Sequence, residues 1–176
     1  MSNDKKNSFA QIWAPWRMEY IRTPEADKPK GCIFCNKPKD NKDKEDLILY
    51  RGKHVFVIMN RYPYSNGHLM VVPYRHISDY SDLTKDELYE MSDVTQMVIE
   101  VLKINMRPNG FNIGFNIGES AGAGIAEHIH QHIVPRWNGD TNFMPVLCHT
   151  KVMVDGLTEC WMGLKKEFDK YVKREM

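Results

Sequence analysis

Between residues 47 and 73 the apolar positions come in short, dense runs: LILYR at 47–51, HVFVIMN at 54–60 and HLMVVP at 68–73. Each run is rich in β-branched or large apolar side chains and is bounded by Gly, Pro or Asn, which predicts three strands. From residue 81 the period lengthens. Leu83, Leu88, Met91, Val94, Met97, Val98, Val101 and Leu102 recur at steps of three and four, the stripe of an amphipathic helix over 82–106. Thr84 followed by Glu87 has the form of a capping box, and RPNG after the stripe stops the helix. GFNIGFNIG at 110–118 predicts a fourth strand and HIHQHIV at 128–134 a fifth. Leu164, Phe168, Tyr171 and Val172 predict a last helix over 158–174. Strands, helix, strands, helix in this order predict an α+β fold: an antiparallel sheet with one long and one C-terminal helix.

The remaining segments are less patterned. Residues 1–30 mix aromatics (IWAPWRMEYI) with prolines and charges, which suggests an arm docking through its tryptophans. KPKDNKDKED at 37–46 reads as a charged, solvated loop with little promise for function. At 176 residues the chain is expected to form one domain, 1–176, with 1–30 as the arm and 138–176 as a C-terminal extension.

Composition narrows the partners. With 42% hydrophobic and 27% charged residues the chain has the make-up of a globular domain, and its net charge of +1 leaves no broad basic footprint. Nucleic acid is therefore not expected as a main partner, although a small anion is compatible. No apolar run has signal-peptide or membrane-spanning length, so a cytoplasmic protein without a membrane partner is expected. In a reducing compartment the close pair Cys32 and Cys35 reads as metal-binding or redox-active rather than as a disulfide. Cys148 and Cys160 are expected to be small buried apolar residues.

Three of the seven histidines, His128, His130 and His132, fall at alternate positions in EHIHQHIVP. On a strand they would share one face, with Ile129, Gln131 and Ile133 on the other. Neighbours would stand roughly 6.5–7 Å apart along the strand and the outer pair about 13 Å, too far for one metal to take all three. A central imidazole could attack a ligand while its neighbours handle charge or metal. Gly122 and Gly124, just upstream, would let backbone N–H groups approach an anion such as phosphate. Neutral imidazole is a competent nucleophile at phosphorus and imidazolium steadies phosphoryl oxygens. These residues alone leave phosphate chemistry, a metal site and a polar sheet face all open.

HIHQHIV resembles the signature of the histidine triad superfamily, His-φ-His-φ-His-φ-φ with φ apolar, departing only at Gln131. A second segment, NRYPYSNGHLMVVPYRH, carries Asn60, Gly67-His68, Pro73 and His76 in that family's order. The matching stretch runs from about residue 32 to 137, and the flanks IWAPWRMEYI and VPRWNGDTNFMPV resemble the bacterial diadenosine tetraphosphate phosphorylase or hydrolase branch. The resemblance implies that His130 attacks the α-phosphorus and carries a covalent AMP, that His132 contacts phosphate oxygens, and that His68 braces the row. It implies a ribose contact for Asn60 and a nucleotide or phosphate contact for Asn116; for both, strand-end turn chemistry is the plainer alternative. It further implies an adenine nucleotide or dinucleoside polyphosphate as substrate, water or inorganic phosphate as acceptor, and a homodimer. No magnesium-binding carboxylate cluster is visible in the sequence, so chemistry without obligatory magnesium is expected. Adenosine phosphoramidate hydrolysis and non-catalytic nucleotide sensing are the rival functions. Many members place Gln and Ser or Thr shortly before the triad; AGAGIAEH lacks that pair, which passes leaving-group contacts to Ser120 or to the backbone of Gly122 to Gly124. Downstream, Arg136, Trp137, Asn138, Thr141 and Asn142 are candidates for a second nucleotide or for a polar surface loop.

Zinc-bearing bacterial relatives use a Cys-x₂-Cys pair with two histidines, which implies Cys32, Cys35, His76 and His128 as ligands here. A Cys₂His₂ set without an open position would be a structural Zn²⁺ site. His130 and His132 alone would then face the substrate.

Overall fold

The computed structural model describes residues 31–140 and 156–175. The expectations for the arm at 1–30, for Thr141 and Asn142, and for Cys148 lie outside them. Five strands, β1 (Ile48–Arg51), β2 (Val55–Met59), β3 (Leu69–Pro73), β4 (Gly110–Phe115) and β5 (Gln131–Arg136), form one antiparallel sheet in the order β1-β2-β3-β5-β4. Among the described residues four α-helices accompany them: α1 (Ile33–Asn36), α2 (Asp43–Asp46), α3 (Lys85–Met106) and α4 (Leu157–Glu175).

The dense apolar runs have a physical reason. All five residues of β2 and all five of β3 are buried, because these strands are covered on both faces. Helices α3 and α4 pack against each other and cover one face, Val98, Leu102, Leu164 and Phe168 meeting the sheet residues in a single core. Hydrophobic burial of this kind is the main favourable term in folding. The opposite face carries the segment from Cys32 to Asp46 and the histidines.

Two expectations need correction. Residues 37–46 are not an open loop: a 3₁₀ turn at Lys37–Lys39 and the short helix α2 order them. Arg51 holds this segment to the sheet, pairing with the Asp43 carboxylate at 2.7 Å and donating to the Pro38 carbonyl at 2.7 Å. The fifth strand also starts later than the apolar alternation predicts, at Gln131, so His128 and His130 precede the ladder. Its continuation beside β3 is blocked chemically: the Pro73 carbonyl accepts from the His128 ring at 2.9 Å, and Ile129 N–H donates to Ile77 O at 2.7 Å.

Helix α3 begins with the predicted capping box. Thr84 Oγ1 accepts from Glu87 N–H at 3.3 Å, and the Glu87 carboxylate accepts from Thr84 N–H at 2.8 Å. Glu87 also takes a two-pronged bond from Arg75, at 2.8 Å on each oxygen, which ties the loop before His76 to the helix start. At the other end, Trp137 donates its indole N–H to Met106 O at 3.1 Å, covering one of the carbonyls a helix leaves open there. Gly67, with φ +69°, turns the chain against this end; a Cβ on it would lie 2.5 Å from Met106 Sδ. Cys160, in the first turn of α4, is buried, as its small apolar character predicts.

The Arg75 pair holds Glu87 well below the ordinary glutamate value of 4.5, at about 2, against the opposing effect of burial and with help from Thr84. A folded-state pKa below the unfolded one gives stability that is present above about 4.5 and is lost as pH falls toward 2. A shift of that size corresponds to about 3 kcal/mol, and roughly 1–2 kcal/mol after discounting for the half-exposed guanidinium. Glu87→Gln should therefore cost about 1–2 kcal/mol at neutral pH. Urea titrations of both proteins should show the gap closing as pH drops below 4.5; a gap independent of pH would mean that the ion pair is not its source.

Candidate active site and metal centre

A pocket of about 770 Å³ opens on the sheet face away from α3 and α4. His130 and His132 line it, as do Asn60, Asn116, Gly122 and Gly124. Ser120, Arg136, Trp137 and Asn138 do not. Ser120 is exposed on the 3₁₀ turn Glu119–Ala121, Arg136 pairs with Asp140 at 2.6 Å, and Asn138 N–H donates to Asn109 at 2.9 Å. These last residues serve the outer turn of the sheet rather than the pocket.

Side chains alternate through the histidine row even where the ladder stops. Ile129 and Ile133 enter the core and Gln131 reaches Thr95 of α3 at 2.7 Å, which explains a polar residue at that position. The imidazoles point the other way, but they turn toward one another: the ring centroids of His130 and His132 are 4.8 Å apart, closer than a straight strand rise gives.

The hydrogen bonds determine which nitrogen of each ring carries the proton. His130 Nδ1 faces the His128 carbonyl at 2.8 Å, and a carbonyl can only accept. The proton of neutral His130 is thus on Nδ1, leaving the Nε2 lone pair for chemistry. Burial lowers the His130 pKa, with the His128 carbonyl and Glu127 opposing, so the ring is neutral at neutral pH.

A second chain of bonds runs through His68, which is buried behind His132. Its Nδ1 accepts from Tyr64 N–H at 3.1 Å, so its Nε2 is protonated and donates to His132 Nδ1 at 2.9 Å. The proton of neutral His132 is therefore on Nε2. The row presents a nucleophilic nitrogen on one ring beside an N–H donor on the next. Asn60 accepts from Tyr62 N–H at 2.9 Å and stands 3.4 Å from His68 Nδ1, so turn chemistry and bracing both engage it while it lines the pocket.

Cys32, Cys35, His76 and His128 converge with their ligand atoms all within 4.8 Å of one another. His128 Nδ1 lies 3.2 Å from Cys32 Sγ, 3.6 Å from Cys35 Sγ and 3.3 Å from His76 Nδ1. A tetrahedral centre with ordinary zinc bond lengths spaces its ligands by about 3.3–3.8 Å, so the set fits a metal of that kind. His128 is prepared for it: donating Nε2–H to Pro73 O leaves Nδ1 as the lone-pair nitrogen, the outer-shell arrangement usual for a ligating histidine.

Sequence reasoning missed Phe34, Tyr64 and Lys37. Phe34 lies between the two cysteines and packs on His130 at a centroid distance of 4.9 Å and on His128 at 5.5 Å. Its place inside the Cys-x₂-Cys pair was the available signal. Tyr64 acts through its backbone N–H and by stacking on His68, a contribution that residue type does not reveal. Lys37, in the segment expected to be solvated, lines the pocket.

Comparison with known proteins agrees with this geometry. The HIT domain family model matches residues 41–139, more than half of the chain. The AP-4-A phosphorylase of Mycobacterium tuberculosis is 43% identical over 155 residues, 85% of this chain and 79% of that protein. The chain belongs to the HIT domain family. A more distant HIT relative, the Bis(5'-adenosyl)-triphosphatase of Saccharomyces cerevisiae, is 29% identical over 70% of this chain and 60% of its own length. Among solved structures, a hypothetical histidine triad nucleotide-binding protein from Sulfolobus tokodaii superposes with a TM-score of 0.63 at 29% identity, covering 81% of this chain and 93% of that one. A Zn-bound histidine triad family protein from Mycobacterium smegmatis gives 0.65 at 24% identity over 82% and 97%, which supports the fold. The α+β HIT fold expected from the sequence is thus the observed one. Among the described residues, no helix is long and apolar enough to cross a membrane.

The proton assignment is directly measurable. Long-range ¹H–¹⁵N spectra near neutral pH should show His130 protonated on Nδ1 and both His68 and His132 on Nε2. A His132 ring protonated on Nδ1 would break the relay.

Proposed function

We propose that this HIT domain cleaves dinucleoside polyphosphates at the α-phosphorus, with phosphate or water as acceptor. The observation that carries the reading is the tautomer pair, a lone pair on His130 Nε2 beside an N–H on His132 Nε2. In the first step His130 Nε2 attacks phosphorus, an N–P bond forms, and the P–O bond to the leaving nucleotide breaks. His132 donates its N–H to a phosphoryl or leaving-group oxygen, where charge collects. In the second step the acceptor oxygen attacks the same phosphorus, the N–P bond breaks, and His130 regains its lone pair; when water is the acceptor, the proton it loses passes to solvent. Dividing the displacement in two lowers each barrier. His68 is a positioning residue, holding the donor tautomer of His132. Asn60 and Asn116 face the nucleotide, and the backbone at Gly122 and Gly124 approaches the phosphates in place of the absent Gln-Ser/Thr pair.

Phosphorolysis is favoured by likeness to the mycobacterial AP-4-A phosphorylase. Purified protein given diadenosine tetraphosphate should form ADP and ATP only when inorganic phosphate is present. AMP and ATP regardless of phosphate would make water the acceptor. His130→Ala should lower either activity by roughly 10³-fold or more; retained activity would remove His130 as nucleophile.

We further read Cys32, Cys35, His76 and His128 as the ligands of a structural zinc ion. Bound there, zinc would supply cross-linking only, since four protein ligands leave no open position. Elemental analysis should find one zinc per chain. Cys35→Ser should lose it and melt roughly 5–10 °C lower, the shift given by about 2–3 kcal/mol in a chain of this size. Unchanged metal content would refute the ligand set. The chain is also read as a single domain acting in the cytoplasm as a homodimer, which sedimentation would test by mass.

A further inference from the structure

The cysteine–histidine cluster is more open than a cross-link alone requires. Cys32 and Cys35 are half-buried, His76 is exposed, and His128 is buried. Cys32 and His76 also line the pocket, so small solutes that enter it meet the cluster. The two cysteines stand on a single turn. Cys32 caps α1, and its carbonyl accepts from Cys35 N–H at 3.2 Å and from Asn36 N–H at 3.1 Å. Helical geometry puts Cα atoms three residues apart at about 5 Å, inside the span of about 4.4–6.8 Å that a disulfide bridges. Their sulfurs lie within 4.8 Å of each other.

This turn is joined to the nucleophile by two routes. Phe34, between the cysteines in sequence, packs its buried ring on His128 at 5.5 Å and on His130 at 4.9 Å. His128 serves both sites at once: its Nδ1 stands 3.2 Å from Cys32 Sγ, and its carbonyl accepts from His130 Nδ1 at 2.8 Å. A change in the cysteine turn therefore reaches His130 through ring packing and through the carbonyl that fixes its tautomer.

We propose that Cys32 and Cys35 are a peroxide-sensitive modification site, and that their oxidation to a disulfide disables His130. The inference rests on the readings of the cluster as a zinc site and of His130 as the nucleophile. One thiolate attacks a peroxide oxygen, the O–O bond breaks, and the other oxygen leaves and takes a proton to become water. The second thiolate attacks the resulting sulfenic sulfur, the S–S bond forms, and hydroxide leaves, again becoming water with one proton. Two thiolates, one hydrogen peroxide and two protons thus give one disulfide and two waters. His76 and His128 alone then remain, which leaves half of a closed tetrahedral set. A disulfide also draws the sulfurs to about 2.0 Å, so the turn has to tighten and Phe34 has to shift on the His130 ring.

The test exposes full-length, zinc-loaded protein to a small excess of hydrogen peroxide. A chromophoric chelator should detect released zinc, and peptide mass spectra should show Cys32 joined to Cys35. The His130 Nδ1–H signal in long-range ¹H–¹⁵N spectra should be lost, and cleavage of diadenosine tetraphosphate should fall by roughly 10²-fold. Dithiothreitol with added zinc should reverse all of these, which separates them from methionine oxidation. A Cys148→Ala, Cys160→Ala double variant should respond as the unaltered protein does. Zinc retained while methionines oxidise overturns the inference. Disulfide formation and zinc release with the His130 signal and activity unchanged overturn it too, because the turn would then not govern the nucleophile. Unoxidised protein that holds no zinc removes the ligand set and this inference with it. Unoxidised protein that holds zinc but cleaves no dinucleoside polyphosphate removes the substrate reading alone, and the zinc, disulfide and spectral results still decide whether the turn governs His130.

Discussion

The bond from His130 Nδ1 to the carbonyl of His128 is the constraint on which the site depends. Imidazole has two nitrogens of nearly equal basicity, and a free ring in water would divide its proton between them. A carbonyl 2.8 Å from one nitrogen ends that division and aims the other lone pair at the pocket. The carbonyl is itself held still, because the His128 ring is fixed on both edges, by Pro73 O on one and by the Cys32, Cys35 and His76 cluster on the other. Phe34, carried by the same cysteine-bearing turn, presses on the His130 ring. The cysteine–histidine cluster and the His130 ring are therefore parts of one packed assembly.

Most of the fold was legible in the sequence because its elements have clean periods. Helix α3 has an unbroken stripe and a cap, and strands β2 and β3 have runs of apolar residues that only a doubly covered strand needs. The errors fell where local period says nothing about competition for backbone groups. HIHQHIV places its histidines at strict alternate positions, yet Gln131 is the first residue in the ladder because the His128 side chain takes the carbonyl that a longer strand would use. The segment 37–46 is charged throughout, and charge alone could not reveal that Arg51 would fold it against the sheet and turn Lys37 inward.

The site was legible to a different depth. The histidines and cysteines are few enough that spacing and resemblance pointed to them, and they do converge. Asn60 and Asn116 reach the pocket, whereas Ser120 stays outside it. The contributions that escaped are those made by main-chain atoms, such as Tyr64 N–H on His68, and by residues whose importance is where they stand rather than what they are, such as Phe34.

Gly67 joins the site to the far side of the molecule. Its left-handed turn delivers His68 into place, and its missing side chain leaves the turn resting against Met106, on the last turn of α3. Helix α3 thus acts as a ruler for the imidazoles: its 22 residues run from the Glu87 anchor beside His76 to the stop against the turn before His68. Lengthening or shortening that ruler by one residue, on the opposite side of the sheet from the pocket, would change the reach between the two loops that hold the histidines.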